Sequence, residues 1–174
     1  PGSPPQKRVF SRDCLEVELI IKKKRLTLFI NHFKSKIGDG EKKREAQATR
    51  VAEILKERFG ASLNGDFIVT GDFNNHYDAL ELQPLLGLKN LENIVKTRLP
   101  EKEHWTHYYK KDKLPEQLDY ILLSKSLSSK NSDAVPFIER RGLGSDITYY
   151  KGERFNEKLT GAEGASDHCP IFIT

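Results

Sequence analysis

Near the N-terminus, hydrophobic and polar positions alternate with a period of two. Leu15, Val17, Leu19 and Ile21 fall on one side of an extended chain, and Glu16, Glu18 and Ile20 on the other. This predicts a strand with one apolar face. Lys22-Lys23-Lys24 supplies a polar turn, and Leu26 to Ile30 predicts the antiparallel partner, ending at Asn31-His32. After a loop at Gly38-Asp39-Gly40 the period changes. From Glu41 onward Ala48, Val51, Ala52, Leu55 and Phe59 recur at helical spacing, and Gly60 is placed to stop the helix. Phe67 to Thr70 is short and apolar-leaning, as suits a strand inside a sheet, and runs into Gly71-Asp72-Phe73-Asn74. A shorter helix is expected over Asp78 to Leu86, a buried strand over Leu118 to Leu123, and a closing strand over Pro170 to Ile173. The polar stretches Lys96 to Gln117 and Ser124 to Ala165 read mainly as loops, with a β-bridge expected near Ile147 to Tyr150. The pattern is α/β, with strands outnumbering helices and polar loops at strand ends, where sites are usually built.

Composition adds limits. A chain of 174 residues, 37% apolar and 31% charged, fits one domain able to bury a core. It has no apolar run long enough for a transmembrane segment. No signal or transit segment is visible. Pro1-Gly2-Ser3 reads as a cloning scar, leaving residues 4–174 as the domain. The lack of any methionine suggests a piece of a longer protein, so localisation is unknown. A net charge of +4 favours anionic partners mildly, and a solvated surface explains it equally well. Cys14 and Cys169 match no metal or redox spacing and are expected as buried free thiols, with a disulfide the other reading.

Four short segments carry candidate chemistry. In Gly71-Asp72-Phe73-Asn74, the period of two puts Asp72 and Asn74 on one side of the strand end. A carboxylate and a carboxamide presented together offer hard oxygen ligands for Mg2+, Mn2+ or Ca2+. Gly71 permits a close backbone approach. The alternative is a simple Asx turn. Ser166-Asp167-His168 can bind a metal or activate a water, or be an ordinary turn. Asn31-His32-Phe33-Lys34-Ser35 sets a histidine at a strand end, with Lys34 and Ser35 able to hydrogen-bond a phosphate; a structural histidine is the other reading. Asp119, inside an apolar strand, needs a partner, and His168 is the natural one.

The order of these motifs resembles the C-terminal half of the endonuclease/exonuclease/phosphatase superfamily. It runs Asn-His-x-Lys-Ser, Arg44-x-x-Gln47, Gly-Asp-Phe-Asn, Leu-Asp-Tyr-Ile-Leu and Ser-Asp-His-x-Pro, from about Arg12 to the end. The resemblance implies a half or reduced form of a two-sheet α/β sandwich and hydrolysis of phosphodiester bonds with Mg2+ or Mn2+. It implies catalytic roles for His32, Asp72, Asn74, Asp119 and His168, with His168 oriented by Asp119. It implies metal ligation by Asp72, Asn74 and Asp167. Lys34, Ser35 and Trp105 are candidate substrate contacts, Trp105 because His104 to Lys111 interleaves aromatic and basic residues that can stack on bases, although a buried tryptophan serves equally.

The resemblance has a gap. The family's N-terminal half supplies an asparagine and a metal-ligating glutamate in a Gln-Glu type motif, and no such segment precedes Arg12. The missing half, or self-association, is therefore the expected cover for an exposed apolar sheet face. The chain alone is expected to be inactive or nearly so. The substrate is expected to be nucleic acid or another phosphodiester, since Asp119-Tyr120 matches the nuclease-type members. Two other classes stay open: a non-catalytic relative that binds nucleic acid or a protein partner, and an interaction domain with inherited motifs.

Overall fold

A computed structural model describes residues 8–38, 40–156, 159 and 166–174. The segment Pro1-Gly2-Ser3 lies outside them, as does the end of the loop expected up to Ala165.

Strand β1 (Leu15–Ile21) pairs antiparallel with β2 (Lys24–His32), which runs through helix α1 (Gly40–Phe59) into β3 (Phe67–Asp72). A 3-10 turn at Leu80–Leu82 leads into the short α2 (Gln83–Leu86), then β4 (Leu91–Asn93) and α3 (Ile94–Arg98). The hairpin β5 (His107–Tyr109) and β6 (Leu114–Glu116) precedes β7 (Asp119–Ser124) and α4 (Lys125–Lys130). Strands β8 (Pro136–Ile138) and β9 (Ile171–Ile173) pair with each other. The main sheet has the order β1-β2-β3-β7-β4. Among the described residues only β2 and β3 pair in parallel, because α1 carries the chain back across the sheet.

One face of this sheet is closed. Phe29, Phe67, Val69, Tyr120 and Leu122 pack beneath Ala48, Val51 and Leu55 of α1, all essentially inaccessible. Rings stack through this layer, Phe33 on Phe73 and Phe73 on Tyr120, each pair 4.6 Å apart. Arg44 of α1 bonds Glu81 at 2.8 Å and the Lys34 carbonyl at 3.1 Å, both side chains nearly fully buried. Burial works against ionising Glu81, but its bonds from Arg44, the backbone and Asn75 outweigh it and hold its pKa low. The other face is open: Leu15 (54%), Leu19 (37%), Ile21 (51%) and Ile30 (39%) keep much of their surface in solvent.

The predicted strands and the long helix are present, with differences elsewhere. The helix expected over Asp78 to Leu86 shrinks to a 3-10 turn and one α turn, with Pro84 in its first turn, where a missing N–H does least harm. The Lys96 to Gln117 stretch holds the end of α3 and the β5–β6 hairpin, whose three-residue strands are too short to show a period. Ile147 to Tyr150 forms a turn, the Tyr150 amide donating to the Ile147 carbonyl; the isolated bridge among the described residues joins His107 to His168. The C-terminal strand pairs with β8 and stays outside the main sheet. Both cysteines are free thiols.

The β1–β2 turn places Lys22 and Lys23 at φ +50° and +67°, a conformation lysine adopts poorly. Replacing Lys22-Lys23 by Asn-Gly should raise unfolding stability by about 1–2 kcal/mol in urea denaturation. No gain would show that the hairpin is not closed by this turn.

Candidate active site

Three polar residues arrive together because of strand register. The parallel β2–β3 ladder sets His32 beside Asp72, and the antiparallel β3–β7 ladder sets Asp72 beside Asp119. Directly paired residues on strands about 4.8 Å apart project to the same side, and this side is the open face. His32 Nε2 lies 3.5 Å from Asp72 Oδ2.

Gly71 makes this approach possible. Its φ is +130°, and a Cβ there would lie 1.8 Å from the Asn31 carbonyl oxygen. Beyond it, the Asn74 amide donates to Asp72 Oδ1 at 2.7 Å, so the turn is indeed an Asx turn. Asn74 Nδ2 also donates to Asp72 Oδ2 at 3.0 Å and to the Phe33 carbonyl at 3.1 Å, with Asn74 itself at φ +55°. The turn and the candidate site are one structure: the bonds that close the turn also fix the carboxylate.

His168 comes from the far end of the chain. Its Nδ1 donates to Asp119 Oδ2 at 2.8 Å. The Cys169 amide donates to the Thr106 carbonyl, and the buried Thr106 hydroxyl accepts from the Leu118 and Asp119 amides, so one residue ties both partners in place. Asp72, Asp119 and His168 each bring a potential ligand atom within 4.8 Å of the others. A shallow cavity of about 390 Å³ opens beside them between Gly71, Ile121 and Pro170.

The electrostatics are divided. The hydrogen bond to Asp119 lifts His168 from its ordinary 6.5 to about 9, against the opposing effect of burial, so it is an imidazolium at neutral pH. Burial raises the Asp72 pKa, and the charge of Asp119 adds to that; the Asn74 amide and the two histidines oppose it. The two carboxylates present oxygen donors that fit a divalent cation in part, and the His168 ring would join them only on losing its Nε2 proton.

The other expected residues are spread more widely. Asp167 is 72% exposed and faces His107, with 3.6 Å between its Oδ2 and His107 Nε2, outside the Asp72 group. Lys34 and Ser35 follow β2 and bond to each other at 3.4 Å, while the Lys34 amide donates to Gln47. Trp105 belongs to a second buried cluster with Tyr108, Ile138 and Leu143, its ring 4.3 Å beneath the Arg140 guanidinium. With 7% of its surface accessible it packs the interior, and its face is closed to base stacking. Thr106 and His107 escape sequence reasoning: a buried threonine that braces two backbones, and a histidine placed by a single bridge, carry no local signal.

A family model described as "Endonuclease/Exonuclease/phosphatase family" matches residues 3–174. No curated protein matches the sequence. Among solved structures, truncated TDP2 of Caenorhabditis elegans superposes with a TM-score of 0.65 at 17% identity, covering 90% of this chain and 56% of its own. A mannosyl-6-phosphatase of Bacteroides thetaiotaomicron gives 0.54 at 19%, covering 88% and 52%. The human Nocturnin catalytic domain with bound sulfate gives 0.51 at 20%, covering 91% and 51%. The chain thus spans about half the length of these structures and shares their fold.

Two outcomes follow from the geometry. Gly71→Ala should destabilise the fold by about 3 kcal/mol in thermal or urea unfolding, through the clash with Asn31 and an unfavourable φ; a neutral effect would contradict the β2–β3 approach. Because the folded-state pKa of His168 is raised, its bond to Asp119 stabilises fully below about 6.5, and that contribution fades as pH rises through about 9. In NMR titrations Asp119→Asn should drop the His168 midpoint from about 9 toward the ordinary imidazole range. An ordinary midpoint in the unmutated chain would refute the pair.

Proposed function

The chain belongs to the endonuclease/exonuclease/phosphatase family, whose α/β fold it carries in reduced form, and from that premise we propose that it supplies the phosphate-facing part of a metal-dependent phosphodiesterase site, nuclease-like in substrate. Members of the family are metal-dependent nucleases and phosphatases. The observation that carries the proposal is the single rung His32–Asp72–Asp119, completed by His168 from the chain's end.

Phosphodiester hydrolysis needs an aligned water, charge stabilisation on the phosphoryl oxygens and a protonated leaving group. Asp72, held at both oxygens by Asn74, aligns the water and accepts its proton. The His168 imidazolium, kept charged by Asp119, donates from Nε2 to a phosphoryl oxygen. His32, partly exposed at the rim, donates to the phosphate or to the leaving oxygen, with Lys34 and Ser35 beside it. Asp72 and Asn74 are the side chains we assign to Mg2+ or Mn2+, which when bound would supply positive charge at the phosphate; Asp167, turned to His107 and outside the Asp72 group, is not assigned to that ion. The sulfate held by the Nocturnin domain, a tetrahedral oxyanion on the same fold, is consistent with a phosphate-binding role. Loops choose the substrate in a shared fold; here the basic β5–β6 hairpin favours nucleic acid or another extended phosphodiester.

The open face of Leu15, Leu19, Ile21 and Ile30 favours a covering partner. We assign that role to the complementary half of the sandwich, or to a second copy of the chain. A partner that also supplied a metal-ligating glutamate would complete the site.

Assayed alone with Mg2+ or Mn2+ on single-stranded DNA and a chromogenic phosphodiester, the chain should turn over slowly at most. Any turnover should fall by about 10²–10⁴ in His168→Ala, and Asp72→Ala should abolish it. Cleavage that survives both substitutions would place the chemistry elsewhere. Robust turnover lost in Asp167→Ala would instead show that the chain needs no partner.

A further inference from the structure

A second group of ligand atoms lies on the outer side of His168, and its composition differs from that of the oxygen-rich rung. His107, Asp167 and His168 each place one potential ligand atom within 4.8 Å of the other two. They come from β5 and from the 166–168 segment, which the His107–His168 bridge holds side by side with their rings 5.0 Å apart. We propose that these three residues form a binding site for Zn2+ or a similar borderline transition ion, separate in preference from the Mg2+ or Mn2+ of the proposed hydrolysis.

Three features support this. The 3.6 Å between His107 Nε2 and Asp167 Oδ2 is too long for a hydrogen bond. It is close to the edge of a coordination polyhedron, since two ligands about 2.0–2.1 Å from a tetrahedral zinc lie roughly 3.3–3.5 Å apart. Second, His168 Nδ1 is taken by Asp119, which leaves Nε2 as the ligand atom, its proton displaced by the zinc and released to solvent. A carboxylate behind an imidazole is the arrangement that orients histidine ligands and strengthens them. Third, His107 is 12% exposed and its Nδ1 is buried without a hydrogen-bond partner among the described residues, so Nε2 is the ring's outward-acting nitrogen. Two imidazoles and one carboxylate suit zinc better than magnesium, which prefers oxygen donors and retained waters. Three protein ligands leave a position open to water or an anion. Because His107 has no second-sphere acceptor among the described residues and His168 must release a proton, the affinity should be moderate, roughly 10–100-fold or more below that of a fully braced site.

The site competes with the phosphate-facing role of His168. That consequence rests on the proposed function, but the binding does not. Exposed Asp167 makes the site reachable from solvent, beside a cavity of about 580 Å³ lined by His107, Tyr109, Lys111 and Ser166.

Isothermal titration of the whole chain with ZnCl2, with MgCl2 in parallel, tests the inference. One saturable zinc site is expected, with magnesium at least about tenfold weaker. His107→Phe, which keeps the packed ring but removes both nitrogens, and Asp167→Asn should each weaken zinc by roughly 10–100-fold or more. Asp72→Asn and Cys169→Ser should leave it unchanged. If His107→Phe does not fold by circular dichroism, exposed Asp167 decides alone. No zinc binding by the chain, full binding by both Asp167→Asn and a folded His107→Phe, or loss in Asp72→Asn with retention in His107→Phe would overturn the site. Zinc binding without any hydrolysis would leave the inference standing and count against the proposed function only.

Discussion

The close approach of β2 to β3 at Gly71 is the constraint on which the arrangement depends. A parallel ladder there brings His32 level with Asp72, and the β3–β7 ladder extends the line to Asp119. A one-residue slip in either ladder would turn one member to the α1 side, into the packed aromatic layer. Glycine is required because the Asn31 carbonyl occupies the space of any side chain. The site is therefore a property of the backbone before it is a property of the polar groups.

Around that rung the molecule separates rigid support from chemistry. The face beneath is filled with rings, and the turn after β3 is anchored by the Phe33–Phe73–Tyr120 stack and by the Tyr120 hydroxyl donating to the Asn75 carbonyl at 2.7 Å. The buried Arg44–Glu81 pair fastens α1 to the segment that follows. Such a pair is weak evidence of net stability, but breaking it would strand a buried charge, so it holds the two elements in one arrangement. The upper face carries the histidines and carboxylates and, towards β1, uncovered leucine and isoleucine side chains.

Charge is distributed so that neighbouring groups control each other's protonation. Asp119 keeps His168 charged, while burial and the nearby Asp119 disfavour the charge on Asp72. An imidazolium next to a carboxylate of raised pKa is a poised arrangement for handling a phosphate, and perturbed groups gathered at one place are a usual mark of a functional site.

The sequence by itself determined the strands with clear periods, the long helix ended by Gly60 and the pairing of Asp119 with His168; at position 71 it showed only that glycine permits a close backbone approach. Each of these follows from local periodicity, local sterics or the expense of an unpaired buried acid, which are legible within a few residues. Tertiary structure alone decided that Asp167 turns to His107 rather than to Asp72, that Trp105 is closed beneath Arg140, that Thr106 braces Asp119, and that the last strand joins β8. These depend on three-residue strands and single bridges between distant segments. Contacts of that kind leave no period in the chain, because their partners are chosen only when the sheets and loops are brought together.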